Sequence, residues 1–316
     1  MNIDKITKIT KNIDKIKPIL VIGSTGHLGS KVMINLLGKN RKIRILLRKG
    51  SKSPYVTNSL VETVYGDMLD TKSLDVAFRN VDSVITVAAG YTGRKKKDNF
   101  NTDIQGNKNL VDSAKKFKIR RFVFLSIVSC DKASKNVRHF YHKKLIEDYM
   151  KEQRINFVSI RAPAFLDQST DYIHQNIQKN RYLAIGSSTT RWSYAYTPDI
   201  AEALVSSLDP ILEIDGLTID IGLDRPLNNN ELKELIEHEI GYKLQKIVIP
   251  FFLIKTVGLI GSIFSNKIAD MSNMFLFFKT GKYISDTTGQ TKILKLEFKA
   301  EDVVRRYINE LPLTIN

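Results

Sequence analysis

A chain of 316 residues with 42% hydrophobic and 26% charged side chains can bury one large or two modest cores, a composition ordinary for a globular protein that does not make disorder the default reading. Lys and Arg number 49 against 33 Asp and Glu, a net charge of +16 that attracts anions in general, yet no RNP-like aromatic strand, zinc-ligand set or basic zipper marks a specific nucleic-acid module. Cys130 is the single cysteine, which excludes an intrachain disulfide and points to the cytoplasm or another reducing compartment, and five scattered histidines without ligand spacing predict no metal site.

Residues 1–16 set Ile3, Ile6, Ile9, Ile13 and Ile16 at helical intervals among lysines. They lack the long apolar core of a signal peptide, and Asp4 and Asp14 argue against a transit peptide, so the segment reads as a basic N-terminal extension. Contact with a membrane surface is the alternative.

The first strong element is ILVIGSTGHLG, residues 19–29. Four apolar residues run into Gly23, and Gly26 and Gly29 follow before helical spacing resumes at Lys31. A strand, a tight turn and a helix start in this order suit a dinucleotide, because the backbone must approach a diphosphate closely and aim helix N–H groups at its oxygens. Ser24, Thr25, His27 and Leu28 occupy the same turn. A second strand, Ile43–Leu47, ends in Arg48 and Lys49, roughly 20 residues past the glycines, where an acid would hold the ribose of NAD and a base suits the 2′-phosphate of NADP. NADP(H) is therefore favoured over NAD(H).

Val61–Tyr65 reads as a third strand, ending in Gly66, Asp67 and Met68, with a helix from Ser73 to Arg79. Val84–Val87 is a fourth, closed by the small residues Ala88, Ala89 and Gly90, which let backbone lie against a ligand. After a basic loop at 91–98 come a helix from Asn101 to Lys116, a strand Phe122–Leu125 ending in Ser126, and a strand Val158–Ile160 closed by Ala162, Pro163 and Ala164. Strands alternating with helices at this interval predict a doubly wound parallel α/β sheet of the Rossmann type, with ligands gathered at the strands' carboxyl ends. Residues 17–165 form that core. Residues 166–316 are assigned to a small C-terminal substrate or cap lobe whose late strands rejoin the core.

Several stretches, GSTGHLG at 23–29, GDMLD at 66–70, DIQGNKNLVDSA at 103–114, FVFLS at 122–126, HFYHKKLIEDY at 139–149, INFVSIRAPAF at 155–165 and TPDIAEAL at 197–204, resemble the atypical, NmrA-like branch of the short-chain dehydrogenase/reductases. The resemblance implies that residues 25, 27 and 28 lie in the phosphate turn, Asp67 and Met68 beside the adenine, Ala88 and Ala89 along the cofactor, and Pro163 at the nicotinamide end. Lys143 would hold the nicotinamide ribose. Classical members use a serine, a tyrosine and a lysine, the last two a helical turn apart. Ser126 and Lys143 match this pattern, but His139 stands where the tyrosine is expected. An imidazole near pKa 6.5 exchanges protons at neutral pH without the neighbouring cation that a phenol near 10 requires. His139 is then either the acid of a reductase of quinone-like substrates, or the mark of a relative that senses redox state and has lost the reaction. Tyr141 is two helical positions away and faces elsewhere. The missing Tyr-x-x-x-Lys also places a sugar-nucleotide epimerase last among the readings.

In the C-terminal third, Tyr172, His174, Trp192, Tyr194 and Tyr196 are candidates for an aromatic pocket or for ordinary core. Asp199 is expected to open a helix to Leu208, Leu217–Ile221 to form a late strand, and Asn229 or Asn230 to cap a helix to Ile240. The run IVIPFFLIKTVGLIGSIF, 247–264, is long enough for a bilayer but carries Lys255 mid-run, at a cost of roughly 3 kcal/mol in a membrane centre. Buried or partner-facing helices are expected there, with peripheral membrane attachment as the alternative. Taken together, the chain is expected to be an NADPH-binding oxidoreductase of a small planar acceptor, or else a non-catalytic NADP(H)-sensing regulator or assembly factor.

Overall fold

Short apolar runs separated by amphipathic segments build one parallel sheet in the computed structural model, which describes residues 17–90, 101–168, 170–186, 189–263 and 265–311, with backbone alone at 170–172. The basic extension 1–16 and the basic loop 91–98 lie outside the described residues. In chain order the first half supplies β1 (Ile19–Ile22), α1 (His27–Gly38), β2 (Ile43–Leu47), β3 (Val61–Tyr65), α2 (Thr71–Phe78) and β4 (Ser83–Thr86). A π-helical segment, Asn101–Gly106, leads into α3 (Asn107–Lys116), and β5 (Arg121–Ile127), α4 (Arg138–Gln153) and β6 (Phe157–Ala162) follow. The second half supplies β7 (Ala164–Phe165), α5 (Thr170–Gln178), β8 (Arg181–Ile185), β9 (Tyr194–Ala195), α6 (Thr197–Ser206), β10 (Leu217–Asp220), α7 (Asn229–Ile240), β11 (Gln245–Ile249), α8 (Phe251–Gly261), α9 (Asn266–Phe278), α10 (Thr288–Lys292) and α11 (Ala300–Glu310).

The main sheet runs β10-β6-β5-β4-β1-β2-β3, every neighbouring pair parallel. Side chains alternate faces along each strand, so each face needs its own cover. Ile19, Val21, Ile43, Ile45, Val123 and Val158 meet α1 and α6 on one side. Leu20, Ile22, Val84, Phe122, Phe124 and Phe157 meet α2, α3 and α4 on the other. This is the doubly wound arrangement, and each such side chain contributes roughly 1.5–3 kcal/mol when fully buried. Strand order reverses between β1 and β4, which opens a crevice at their carboxyl ends.

Arg121 fastens the late strand to this sheet. Its buried guanidinium donates to Asp215 Oδ1 at 3.0 Å and to the carbonyls of Ser207, Asp209 and Leu212 at 2.7–3.0 Å, all in the connection from α6 to β10. A third apolar cluster, including Trp192, Tyr194, Phe277, Phe278 and Tyr283, fills the C-terminal part beside two small sheets, β8 with β11 and β7 with β9.

Some helix boundaries depart from sequence expectation because local capping decides them. Asp70 accepts from the backbone N–H of Lys72, so α2 starts at Thr71. Asn228, rather than Asn229 or Asn230, caps α7 in a full capping box with Glu231. Asp199 lies in the first turn of α6 but does not cap it; the carboxylate pairs bidentately with Arg306 on α11, both contacts at 2.7 Å. The apolar run 247–264 does not form one long helix. Pro250 divides it into β11 and the 11-residue α8, and among the described residues no helix is long and apolar enough to cross a membrane. Nor is α8 buried: Phe252, Leu253, Val257, Leu259 and Ile260 are all exposed.

Candidate dinucleotide site

The carboxyl ends of β1, β2, β4, β5 and β6 open into one cavity of about 1330 Å³, larger than the roughly 300–1,000 Å³ usual for a single ligand. Residues 23–29 form its floor at the β1 end. Gly23 has φ +91°, in the left-handed region, and a Cβ there would sit 2.9 Å from the backbone nitrogen of Ala88. At Gly29 a Cβ would meet the Gly23 carbonyl oxygen at 2.0 Å, so the turn and the first turn of α1 touch backbone to backbone. No side chain caps α1 and its first turn carries no acid. The Ser24 hydroxyl is buried with no hydrogen-bond partner among the described residues. A backbone cradle, an uncapped helix N-terminus and an orphan hydroxyl fit a diphosphate.

Around this turn the cavity is lined by Arg48 after β2, Asp67 and Met68 after β3, and Ala88 and Ala89 after β4. Lys49 is exposed on the following turn and does not line it. Asp67 is held by its neighbours, donating its N–H to Ser73 Oγ at 3.0 Å and accepting from Leu69 N at 2.9 Å, while Asn109 donates to the Met68 carbonyl at 3.0 Å. Asp103, in the π-helical segment, accepts from Gly90 N at 2.6 Å and so fixes the strand-end backbone beside Ala88 and Ala89.

At the other end Ser126, His139, Lys143 and Pro163 line the same cavity. His139 and Lys143 are one turn apart on α4 and are both buried. Burial holds the Lys143 ammonium below the ordinary lysine range, against the opposing pull of the Asp103 and Glu147 carboxylates, and the ammonium lies 4.5 Å over the Phe124 ring. The His139 ring nitrogen Nδ1 is 2.7 Å from Asp270 Oδ2, and the other Asp270 oxygen accepts from Arg138 N at 2.6 Å. Asp270 comes from α9 and is itself buried. Below Ser126, burial and the nearby Glu147 push the Cys130 thiol up to about 12, which leaves it unreactive. Glu147 forms a bidentate pair with Arg161 at 2.9 and 2.6 Å.

Two partnerships here were not visible from sequence. His27, in the phosphate turn, reaches Asp167 at 2.8 Å, and Asp167 accepts from the Thr197 hydroxyl at 2.6 Å, joining the turn to the start of α6. Asp270 had one sequence signal, as the sole acid in the stretch 241–285; a lone acid in apolar surroundings needs a partner. Of the aromatic candidates, Trp192 and Tyr194 line the cavity, Tyr196 packs behind Tyr307, which lines it, and neither Tyr196 nor His174 lines it. The Tyr172 side chain lies outside the described residues. Tyr141 is half-buried and also does not line the cavity.

The profile of the NmrA-like family matches residues 15–304. Photosystem II assembly factor Ycf39 of Trieres chinensis is 26% identical over 289 residues, covering 88% of this chain and 82% of that protein. An NADPH-dependent quinone oxidoreductase, QOR2 of Escherichia coli, solved with NADPH, superposes with a TM-score of 0.74 at 14% identity, covering 93% and 99% of the two chains. A nucleoside-diphosphate-sugar epimerase of Staphylococcus aureus gives the same TM-score at 15% identity, covering 93% and 100%. These two likenesses carry the NAD(P)-binding fold, and the profile match over nearly the whole length shows that the chain belongs to the NmrA-like family.

Proposed function

We propose that this chain binds NADPH and reduces a small planar, quinone-like acceptor. The reading rests on one observation above the others: His139, held by Asp270, shares with Ser126 and Lys143 the end of the cavity opposite the adenine side. Reduced nicotinamide, when bound, supplies a hydride. Lys143 would donate hydrogen bonds to the nicotinamide ribose, and Arg48 would face the 2′-phosphate. His139 would deliver a proton from Nε2 to the acceptor oxygen while Asp270 stabilises the charged ring, and Ser126 would orient that oxygen. Trp192, Tyr194 and Met274 give the acceptor side apolar walls suited to a flat ring. The test is NADPH consumption with a panel of quinones, compared with His139→Ala and Lys143→Ala. Tight NADPH binding with no turnover on any acceptor overturns the reading.

A second reading is favoured by the Ycf39 relatives and by His139 in the tyrosine position. In it the cofactor site is kept as a sensor, and the protein acts as an assembly factor whose partner changes when NADP(H) binds. Affinity capture with and without NADPH separates the two, because an enzyme acting alone keeps the same partners in both.

A further inference from the structure

From residue 241 to 285 the chain carries six lysines, at 243, 246, 255, 267, 279 and 282, against one acid, Asp270, which is buried against His139. Within this stretch α8 and α9 form an antiparallel hairpin. The two helices approach closely because Gly258 and Gly261 face α9; a Cβ at Gly258 would meet the Ser272 hydroxyl at 2.1 Å, and one at Gly261 would meet Ile268 at 2.4 Å. The Ser272 hydroxyl donates to the Ile254 carbonyl at 2.9 Å and locks the pair. Phe251 and Ile254 are half-buried on the glycine side, while the other large side chains of α8 point the other way.

Phe252 is 67% exposed, Val257 58%, Leu259 66% and Ile263 77%. At about 100° per residue, Leu259, Phe252, Ile260, Leu253 and Val257 fan over roughly 160° of the α8 circumference, with Lys255 at one margin. A flat protein partner covers one stripe of a helix, whereas a fan this wide needs an occupant that wraps it. At about 1.5 Å per residue α8 is about 16 Å long, far short of a hydrocarbon core of about 30 Å, so it can lie in a lipid interface but not span one. Lys255 and Lys267 are exposed on this hairpin, with Lys279 and Lys282 exposed at its base, matching an anionic headgroup layer.

We propose that the α8–α9 hairpin docks this protein on an anionic lipid surface, its apolar fan sunk among the acyl chains and its lysines at the headgroups. Met271 on α9 is partly exposed and also lines the large cavity, so docking brings a wall of that cavity to the lipid. Delivery of an apolar acceptor from the bilayer would follow, a consequence that rests on the reductase reading; lipid docking itself does not.

The test is flotation of the full chain, without nucleotide, with phosphatidylcholine vesicles and with vesicles that also hold phosphatidylglycerol. The expected result is binding to the anionic vesicles that weakens with salt, drops about fivefold in Lys255→Gln, and falls at least about tenfold in Val257→Ser/Leu259→Ser. Both serine positions face water, so the variant should keep its fold and its calorimetric NADPH affinity, which separates failed docking from a failed cofactor site. No binding to either vesicle type, equal binding to both, or sedimentation showing the hairpin buried between two copies without lipid overturns the proposal.

Discussion

His139 and Asp270 stand 131 residues apart in the chain and share a 2.7 Å contact between ring Nδ1 and carboxylate Oδ2. The contact ties α4, which carries Lys143, to α9, one arm of the α8–α9 hairpin, so the site is complete only once the C-terminal part has folded over the sheet. A carboxylate on Nδ1 selects the tautomer and stabilises the ring when it is charged. If the reductase reading holds, Asp270→Asn lowers kcat by about tenfold and His139→Ala by about a hundredfold, because general acid catalysis is worth roughly 10²–10⁴. NADPH affinity, measured by calorimetry, stays unchanged in Asp270→Asn.

Arg48 is exposed at the cavity rim after β2, with no acid in the following turn to favour a ribose hydroxyl. A hydrogen bond to a charged group is worth about 1.5–3 kcal/mol. Arg48→Ala should therefore weaken NADPH binding by about ten- to a hundredfold and leave NADH nearly unaffected. Equal losses for the two nucleotides would show that Arg48 does not meet the 2′-phosphate.

The phosphate turn gives a stability prediction as well as a binding one. Gly29→Ala puts a methyl group 2.0 Å from the Gly23 carbonyl oxygen, and neither the Cβ, fixed to its Cα, nor the backbone oxygen can swing aside. The variant is expected to lose about 1–3 kcal/mol in denaturant unfolding, in line with other overpacked sites, and to lose measurable affinity for either pyridine nucleotide. Gly38→Ala serves as the control, since a Cβ there meets nothing within 4 Å.

The sheet and its ligand rim were legible in the sequence because they rest on local signals. Four apolar residues before Gly23, and Arg48, Gly66 and Ala88 closing the next three apolar runs, follow from period and turn chemistry alone. Cap choice was less legible: Asn228, Asn229 and Asn230 are equivalent on paper, and only the Asn228 side chain reaches the N–H groups of residues 230 and 231. Long-range pairings were not legible, since Asp270 with His139, Asp167 with His27, and Arg306 with Asp199 join elements whose approach is set by packing. The run at 247–264 was legible only in part, for a related reason. Hydropathy registers apolar residues but not whether a neighbour covers them, and here Gly258 and Gly261 give α9 its close contact while Phe252, Leu253, Val257, Leu259 and Ile260 stay outside.

Glu237 supplies the pH prediction. It is buried near the end of α7, and burial by itself would push its carboxyl up. The N–H of Leu244 at 2.6 Å, with Lys233 and Lys243 alongside, more than offsets that and lowers it to about 2. A carboxyl lowered on folding contributes stability that is fully present above its unfolded value, near 4.5, and is lost as pH falls toward about 2. Thermal unfolding followed between those limits should show the melting temperature falling as the medium is acidified, and falling less in Glu237→Gln. At neutral pH that substitution should cost about 1–2 kcal/mol, because the amide oxygen keeps Leu244 and Lys233, which share Oε1, but the Lys243 contact on the other oxygen is lost, and with it the charge that both lysines pair with. A variant with the same acid profile as the parent would mean that the carboxylate is not what anchors the turn after α7.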